Sequence, residues 1–276
     1  MLIQSCQGYL ASGFEGSKRK DFNDSSKAII HHPLFQRTGF SHKSLLSIEL
    51  IVEIDVATHK VLTNTFSQIR IHMSSEIKKT GATDMWNQRY AQADYVYGIQ
   101  PNEFLKHELS CHQPGKILFP AEGEGRNAVF AGLQGWEVVA FDSSHEAMKK
   151  ATKLALENKV NLDYRISTME EVEFEENSFD AIALIYAHTG KRELNHKRMI
   201  RFLKPGGTLI LEGFSKNQLA NNSGGPKDPS FLFTVEELKN DFASLKILTA
   251  GEYETELNEG SLHVGKASVV RIVATR

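Results

Sequence analysis

The sequence predicts an α/β fold in which helices cover both faces of a mostly parallel, seven-stranded sheet with an antiparallel C-terminal hairpin. Three observations support this doubly wound architecture. Short apolar segments alternate with helical segments between residues 116 and 211, and strands joined through helices pair in parallel with right-handed crossovers. Two strand-like segments then follow each other near the C-terminus. A glycine loop joins the first strand to the first helix.

Five apolar segments form the parallel part of the predicted sheet. In chain order they are residues 116–121, 136–141, 160–166, 180–186 and 208–211. Each is short, and each is rich in aliphatic or aromatic residues, as strands are. Segments around residues 245–248 and 268–274 complete the seven strands as a hairpin, an arrangement that mixed sheets allow at an edge.

The helices are predicted from apolar spacing and from capping signals. Residues 143–146, Ser-Ser-His-Glu, form a capping box with Ser143 as the N-cap, and residues 234–237, Thr-Val-Glu-Glu, form a second one. The helix after the first box carries its apolar residues on one face. These residues are Ala147, Met148, Ala151, Leu154 and Ala155.

Composition places the chain among globular proteins. Of its 276 residues, 41% are hydrophobic and 24% are charged, with a net charge of −2. These values exclude a disordered or collagen-like chain and a broad basic face for nucleic acid. Residues 1–84 have weak periodicity, so we expect an N-terminal extension of uncertain structure whose first 72 or so residues are dispensable. Residues 85–276 are expected to form the functional domain.

Cysteine usage and hydropathy indicate the compartment and the partners. Cys6 and Cys111 are too few for a disulfide framework, and no apolar segment approaches the roughly 20 residues that cross a bilayer. The histidines are scattered, so no metal is expected. We therefore expect a cytoplasmic protein, a monomer or weak homodimer, without membrane or nucleic-acid partners.

The candidate binding site is a glycine loop and an acid on neighbouring strand ends. Gly123 and Gly125 follow the first strand, where the lack of a Cβ lets a ligand approach the backbone. Asp142 ends the second strand, where a carboxylate can accept hydrogen bonds from two ribose hydroxyls. The alternative role of Asp142 is to cap the following helix. The combination predicts a nucleotide-like cofactor.

The same residues also fit the dinucleotide pattern G-x-G-x-x-A, with Ala128 in the last position. An NAD-dependent oxidoreductase is therefore an alternative. Glu122 argues against it, because its carboxylate would repel a pyrophosphate and would suit the ammonium of an amino-acid-bearing cofactor. The terminal hairpin, which replaces a second mononucleotide half, argues against it as well.

Together these motifs resemble those of class I S-adenosylmethionine-dependent methyltransferases. The resemblance is carried by residues 122–125, Glu-Gly-Glu-Gly, by Asp142, and by residues 203–207, Leu-Lys-Pro-Gly-Gly. Segments 86–105 and 224–238 resemble the small-molecule branch that includes tellurite-resistance and thiopurine methyltransferases. The resemblance implies a Rossmann-like methyltransferase domain over residues 85–276, the cofactor S-adenosyl-L-methionine, and in-line transfer of a methyl group to a small-molecule acceptor.

The resemblance also implies where the cofactor binds. The methionine end would lie over residues 121–125, the ribose at Asp142, and the adenine against the turn at residues 168–170. Met169 has a core position as its alternative, and Glu170 a solvated acidic loop. The implied cofactor-binding residues are Ala121, Glu122, Gly123, Gly125, Asn127, Asp142, Ser143, Thr168, Met169, Glu170 and Ala187. Asn127 departs from the family, which often has a third glycine there.

The methyl acceptor is expected beyond the fourth strand, near Tyr97, Tyr186 and His188. His188 is the candidate catalytic base, because an ordinary histidine pKa near 6.5 suits proton removal at neutral pH. Its alternative role is a loop histidine bonded to the backbone. His263, in the terminal hairpin, is expected to be structural. A soft acceptor such as a thiolate needs no base, and a module that binds the cofactor without catalysis stays open.

Overall fold

A computed structural model of the protein describes residues 71–73 and 81–276, and the sheet in this part of the chain has eight strands. Their order across the sheet is β1-β4-β3-β2-β5-β6-β8-β7. The strands are β1 Ile71–Met73, β2 Lys116–Pro120, β3 Glu137–Asp142, β4 Leu162–Ile166, β5 Phe179–Ile185, β6 Leu203–Phe214, β7 Lys246–Glu259 and β8 His263–Thr275.

The pairing confirms the predicted fold class. Strands β1 to β6 pair in parallel, and β8 pairs antiparallel with both β6 and β7. The seven predicted strands correspond to β2–β8, and β1 adds a short eighth strand beside β4. The terminal hairpin is much longer than predicted, with strands of 14 and 13 residues.

The described helices lie between the strands or precede them. They are α1 Gly81–Tyr90, α2 Glu103–Ser110, α3 Arg126–Leu133, α4 His145–Glu157, α5 Arg192–Phe202 and α6 Val235–Asp241, with 3-10 helices at Lys216–Ala220 and Pro229–Phe231. None of these described helices combines the length and apolar character that a membrane crossing requires.

Both faces of the sheet are covered by helices, as in a doubly wound fold. Successive residues of a strand point to opposite faces. In β2, Ile117 packs with residues of α2, α3 and α4, whereas Leu118 packs with residues of α5 and α6. Both side chains are completely buried. The carboxyl ends of the parallel strands therefore form one rim, which carries the loops that follow β2, β3, β4 and β5.

One predicted cap is present and the other is displaced. The Thr234 hydroxyl accepts a hydrogen bond from the Glu237 N–H, and the Glu237 carboxylate accepts one from the Thr234 N–H, which confirms the second capping box. The prediction of Ser143 as an N-cap is wrong. Ser144 caps α4 by accepting a hydrogen bond from Ala147, because the Asp142 carboxylate already holds the Ser144 N–H at 2.8 Å.

The predicted N-terminal extension lies mostly outside the described residues. The boundary placed after residue 84 falls inside α1, and the compact unit that contains the sheet begins at Ile69. Strand β1 also belongs to this unit. The division at residue 84 and the dispensability of the first 72 residues stay predictions.

Candidate cofactor and acceptor site

The loop between β2 and α3 follows a left-handed backbone path. Ala121, Gly123 and Gly125 have φ angles of 51°, 68° and 91°. Such angles favour glycine, since a Cβ is strained there. A Cβ on Gly125 would lie 2.7 Å from the Cβ of Ala151, so this glycine lets α4 pack against the start of α3.

The backbone of Gly123 is held by one residue of β3 and one residue of β4. Its N–H donates to the Asp142 carboxylate at 3.1 Å, and its carbonyl accepts from the Tyr164 hydroxyl at 2.6 Å. Asp142 ends β3, and Tyr164 is a completely buried residue of β4. The loop is therefore fixed relative to the rim of the sheet.

The Asp142 carboxylate is buried and polarised by backbone donors. One oxygen accepts from Gly123 and the other from Ser144, and the residue is 8% exposed. Burial raises its pKa to about 6, against the opposing effect of the backbone hydrogen bonds. An ionised carboxylate has about four acceptor positions, so each oxygen retains capacity for a ligand hydroxyl.

Glu122 places its carboxylate at the start of α3. Its Oε1 accepts hydrogen bonds from the N–H groups of Asn127 and Ala128, at 2.9 and 2.8 Å. Burial raises the pKa of Glu122 to about 7. A helix N-terminus is where a dinucleotide's pyrophosphate binds, and here the protein's own acid takes these donors. This arrangement disfavours the NAD alternative. The Asn127 side chain has a separate role, because its Oδ1 accepts a hydrogen bond from the Asn102 N–H at 2.9 Å.

Tyr90 covers the glycine loop from α1. A Cβ on Gly123 would lie 2.8 Å from the Tyr90 hydroxyl, and the Tyr90 ring stacks on Trp86 with a centroid distance of 5.5 Å. Tyr90 carries no sequence pattern that predicts this role. The only available signal was the resemblance of segment 86–90 to the methyltransferase branch, because the approach of α1 to the loop is a tertiary contact.

The turn after β4 lies next to Asp142, whose carbonyl accepts from the Ser167 N–H at 3.0 Å. Met169 in this turn is 6% exposed and packs in the core with Val139 and Phe141. Glu170 is exposed and accepts a hydrogen bond from Asn195. The Met169 side chain thus has the alternative, core position.

Other predicted residues are less close to the loop. Ser143 is half-buried beside Asp142, and the Thr168 hydroxyl donates to Glu171 at 3.2 Å. Ala187 follows β5 and packs in the core. The structure therefore brings Gly123, Asp142 and the turn after β4 together on one rim, and it buries Ala187 in the core beyond the end of β5.

His188 has the backbone-bonded role that was its alternative. Its Nδ1 lies 2.6 Å from the Phe231 carbonyl, and its Nε2 accepts from the Phe214 N–H at 3.1 Å. Burial lowers its pKa to about 4. Because both ring nitrogens are engaged, His188 has no lone pair for a proton from an acceptor. It instead ties the end of β6 to the loop at Phe231.

His263 lies in an aromatic cluster at the terminal hairpin. Its ring centroid is 4.5 Å from that of Tyr97, 4.9 Å from that of Tyr186 and 5.2 Å from that of Phe214. The predicted acceptor residues Tyr97 and Tyr186 are thus brought together. Tyr186 has a φ of 53°, a strained backbone of the kind often found at functional sites.

A carboxylate orients the His263 ring. The Nδ1 atom lies 3.2 Å from a Glu259 oxygen, which also pairs with Arg126 at 2.9 Å. Burial lowers the pKa of His263. Although burial alone would raise it, the contacts with His263 and Arg126 lower the pKa of Glu259 to about 2. No sequence signal pointed to the Glu259–His263 pair, because the two residues are brought opposite each other by the turn between β7 and β8.

A hydrogen bond to the buried Glu212 of β6 fixes Tyr186 of the aromatic cluster. Glu212 on β6 is 1% exposed and accepts hydrogen bonds from Tyr186, Asn102 and Arg271, at 2.8, 2.6 and 2.6 Å. Asn102 also caps α2 through the Leu105 N–H. The strained Tyr186 is therefore fixed by a charged acceptor with three donors.

Comparison with known proteins agrees with this geometry. Residues 117–207 match the methyltransferase domain family. The chain is 33% identical over 120 residues to the ubiquinone/menaquinone biosynthesis C-methyltransferase UbiE of Ectopseudomonas mendocina (strain ymp). This alignment covers 40% of this chain and 46% of that protein. The chain spans about half the length of the curated relatives it matches.

Solved structures share the fold. A protein described for the conversion of a disulfide bond into a thioacetal group during echinomycin biosynthesis superimposes with a TM-score of 0.58 and 17% identity, over 71% of this chain and 92% of that chain. TehB from Haemophilus influenzae superimposes with a TM-score of 0.54 and 18% identity, over 70% of this chain and 66% of that chain. The family match over residues 117–207 and the shared fold agree with the methyltransferase domain that the sequence predicts.

Proposed function

We propose that this protein transfers a methyl group from S-adenosylmethionine to a small-molecule acceptor. The observation that carries the proposal is the hydrogen bond between Gly123 and Asp142, because it places a bare backbone turn beside a buried carboxylate. The cofactor supplies a methyl group on a positively charged sulfur, which is already a strong electrophile. The protein must then bind, orient and exclude water.

The residues of the rim fit the cofactor. In the proposed site, Asp142 accepts hydrogen bonds from the ribose hydroxyls, and the loop from Ala121 to Gly125 lies against the methionine end. Tyr90 covers this loop. The turn at residues 167–170 borders the adenine. The left-handed φ angles of Gly123 and Gly125 support this assignment, and the lack of a Cβ on Gly123 lets the Tyr90 hydroxyl lie directly against the loop.

The aromatic cluster fits a small organic acceptor. Tyr97, Tyr186 and Phe214 surround His263, and the curated relative named above is a methyltransferase of quinone biosynthesis. We propose His263 as the general base for acceptors that lose a proton. Its burial favours the neutral ring, and the Glu259 carboxylate accepts a hydrogen bond from Nδ1–H, so that Nε2 carries the lone pair. This assignment replaces His188.

Cofactor binding and turnover test the proposal. Calorimetry with S-adenosylhomocysteine should show micromolar binding that Asp142→Ala weakens at least about tenfold, since hydrogen bonds to a charged group are lost. Asp163→Asn is the matched control, because Asp163 pairs with Arg165 on β4. Labelled methyl transfer should then be measured over hydroxyl, amine and thiol acceptors.

Two outcomes would contradict the proposal. Absence of S-adenosylhomocysteine binding would remove the cofactor site. Binding without methyl transfer to any acceptor would instead favour a cofactor-binding module that has no catalytic activity.

A further inference from the structure

A short loop connects the two halves of the proposed site. Residues 91–98, here called the covering loop, lead from α1 toward α2. Tyr90, just before this loop, lies over Gly123, and Tyr97 within it packs against His263. Tyr90 belongs to α1 but packs with Tyr97 of the covering loop, so the position of this loop affects where both rings lie.

Glu124 holds the covering loop from the glycine loop. Its Oε2 accepts hydrogen bonds from the N–H groups of Val96 and Tyr97, at 2.8 and 3.4 Å. Its Oε1 accepts from the Lys150 ammonium at 2.7 Å. Glu124 is 4% exposed and Val96 is 2% exposed. Charged hydrogen bonds removed from water in this way are costly to lose.

Lys150 on α4 completes the same attachment. Its ammonium donates to the Asp94 carbonyl at 2.6 Å as well as to Glu124, and the Lys150 carbonyl accepts from the Tyr95 hydroxyl at 3.1 Å. The Lys150 side chain is 15% exposed, so the pair is shielded from solvent. Four consecutive residues of the covering loop, 94–97, are thus tied to the cofactor half of the domain.

The opposite side of the covering loop contacts the terminal hairpin. The Val96 carbonyl accepts from the Ser261 N–H at 3.0 Å. Gly98 approaches Gly260 so closely that a Cβ on Gly98 would lie 3.2 Å from the Gly260 nitrogen. Val96 therefore binds Glu124 through its N–H and the hairpin turn through its carbonyl.

We propose that Glu124 is a positioning residue that couples the cofactor loop to the acceptor cluster through the covering loop. This inference rests on the proposed function. Bound cofactor is held when Glu124 keeps Tyr90 over the glycine loop, and the acceptor is aligned when Tyr97 stays against His263. Loss of Glu124 should therefore speed cofactor release and raise the KM for the acceptor, with a smaller change in cofactor association.

A fluorescence experiment isolates this effect. Trp86 and Trp136 are the only tryptophans, and Trp86 stacks on Tyr90. Trp136→Phe leaves Trp86 as the single reporter beside the site. In this parent, stopped-flow release of S-adenosylhomocysteine should become about tenfold faster with Glu124→Ala. Glu146→Ala, which breaks the exposed Glu146–Lys149 pair on α4, is the control and should leave the rate unchanged.

A graded series separates positioning from general destabilisation. Glu124→Gln keeps an oxygen that can accept from Val96, and it should partly restore slow release and a low acceptor KM relative to Glu124→Ala. Equal release rates in the parent, Glu124→Gln and Glu124→Ala would overturn the inference. Failure of the parent itself to bind S-adenosylhomocysteine would instead overturn the proposed function on which it rests.

Discussion

The backbone N–H of Gly123 donates a hydrogen bond to the carboxylate of Asp142 across 3.1 Å. The two residues lie at the ends of adjacent parallel strands, so a contact between residues 19 positions apart is made by the sheet register itself. The charge on Asp142 therefore acts on both the glycine loop and any ribose beside it.

Cofactor affinity should depend on the protonation of Asp142. Its pKa is raised to about 6, so the carboxyl is mostly ionised at pH 7.5 and mostly protonated at pH 5. Because the ionised form accepts ribose hydroxyls better, we expect the affinity for S-adenosylhomocysteine to fall about tenfold between these pH values. Calorimetry across the range measures it. Asp142→Asn should bind weakly with a flatter pH profile.

Protein stability should show the opposite dependence on the same group. The folded pKa of Asp142, about 6, is above the ordinary value of 3.8, so its contribution is present below pH 3.8 and is lost as the pH rises through 6. Between pH 4 and pH 7, the free energy of unfolding of Asp142→Asn should therefore rise by about 2–3 kcal/mol relative to that of the wild type. Urea unfolding without cofactor measures this difference. A constant difference would contradict the buried, raised pKa.

Glycine substitutions should separate backbone strain from cofactor binding. Gly123 and Gly206 both have left-handed φ angles, 68° and 80°, but a Cβ meets the Tyr90 hydroxyl only at Gly123. Alanine should cost about 1–2 kcal/mol of stability at Gly206 and more at Gly123, where its Cβ would also clash with the Tyr90 hydroxyl. Only Gly123→Ala should also weaken S-adenosylhomocysteine binding, by at least about tenfold. Thermal unfolding and calorimetry on both variants check this, and equal binding losses would contradict it.

The two histidines should differ in their kinetic effects. His263→Gln is expected to lower kcat for hydroxyl acceptors about a hundredfold and to spare thiol acceptors, because only the former need a base. For the wild type and hydroxyl acceptors, the fall of kcat on the acidic side of its pH profile should lie below pH 6.5, since burial lowers the pKa of His263. Methyl transfer assays over pH 5–8 measure both.

His188→Gln should instead lower stability, since His188 bonds two backbone groups. Its lowered pKa, about 4, adds stability above pH 6.5 that is lost as the pH falls toward 4. Thermal unfolding between these values measures the loss. A large kcat defect in a stable His188→Gln protein would restore it as the base.

Local patterns predicted the parallel sheet because its buried strands are short and mostly apolar. They underestimated β7, most of whose side chains are exposed, so that its sequence lacks a buried face. Helix α2 was missed, since it has only eight residues and two buried leucines, Leu105 and Leu109.

In the proposed site, the sequence pointed to the residues that lie at or after strand ends, Gly123 and Asp142. Residues of this site that depend on distant packing were missed. Tyr90 reaches the loop from α1, and His263 is placed by the hairpin next to Tyr97. The periodicity of the sequence does not encode those approaches. The N-cap of α4 was predicted one residue too early, at Ser143 and not at Ser144, because Asp142 holds the Ser144 N–H.

Glu122 has a consequence for redesign. Since its carboxylate occupies the first free donors of α3, replacing glycines alone would not convert this scaffold to a redox coenzyme. An engineer who wanted that exchange would have to start with Glu122→Gly and free the helix for a diphosphate. In this scaffold the residue that excludes a diphosphate is thus Glu122, which lies immediately before the first glycine of the loop.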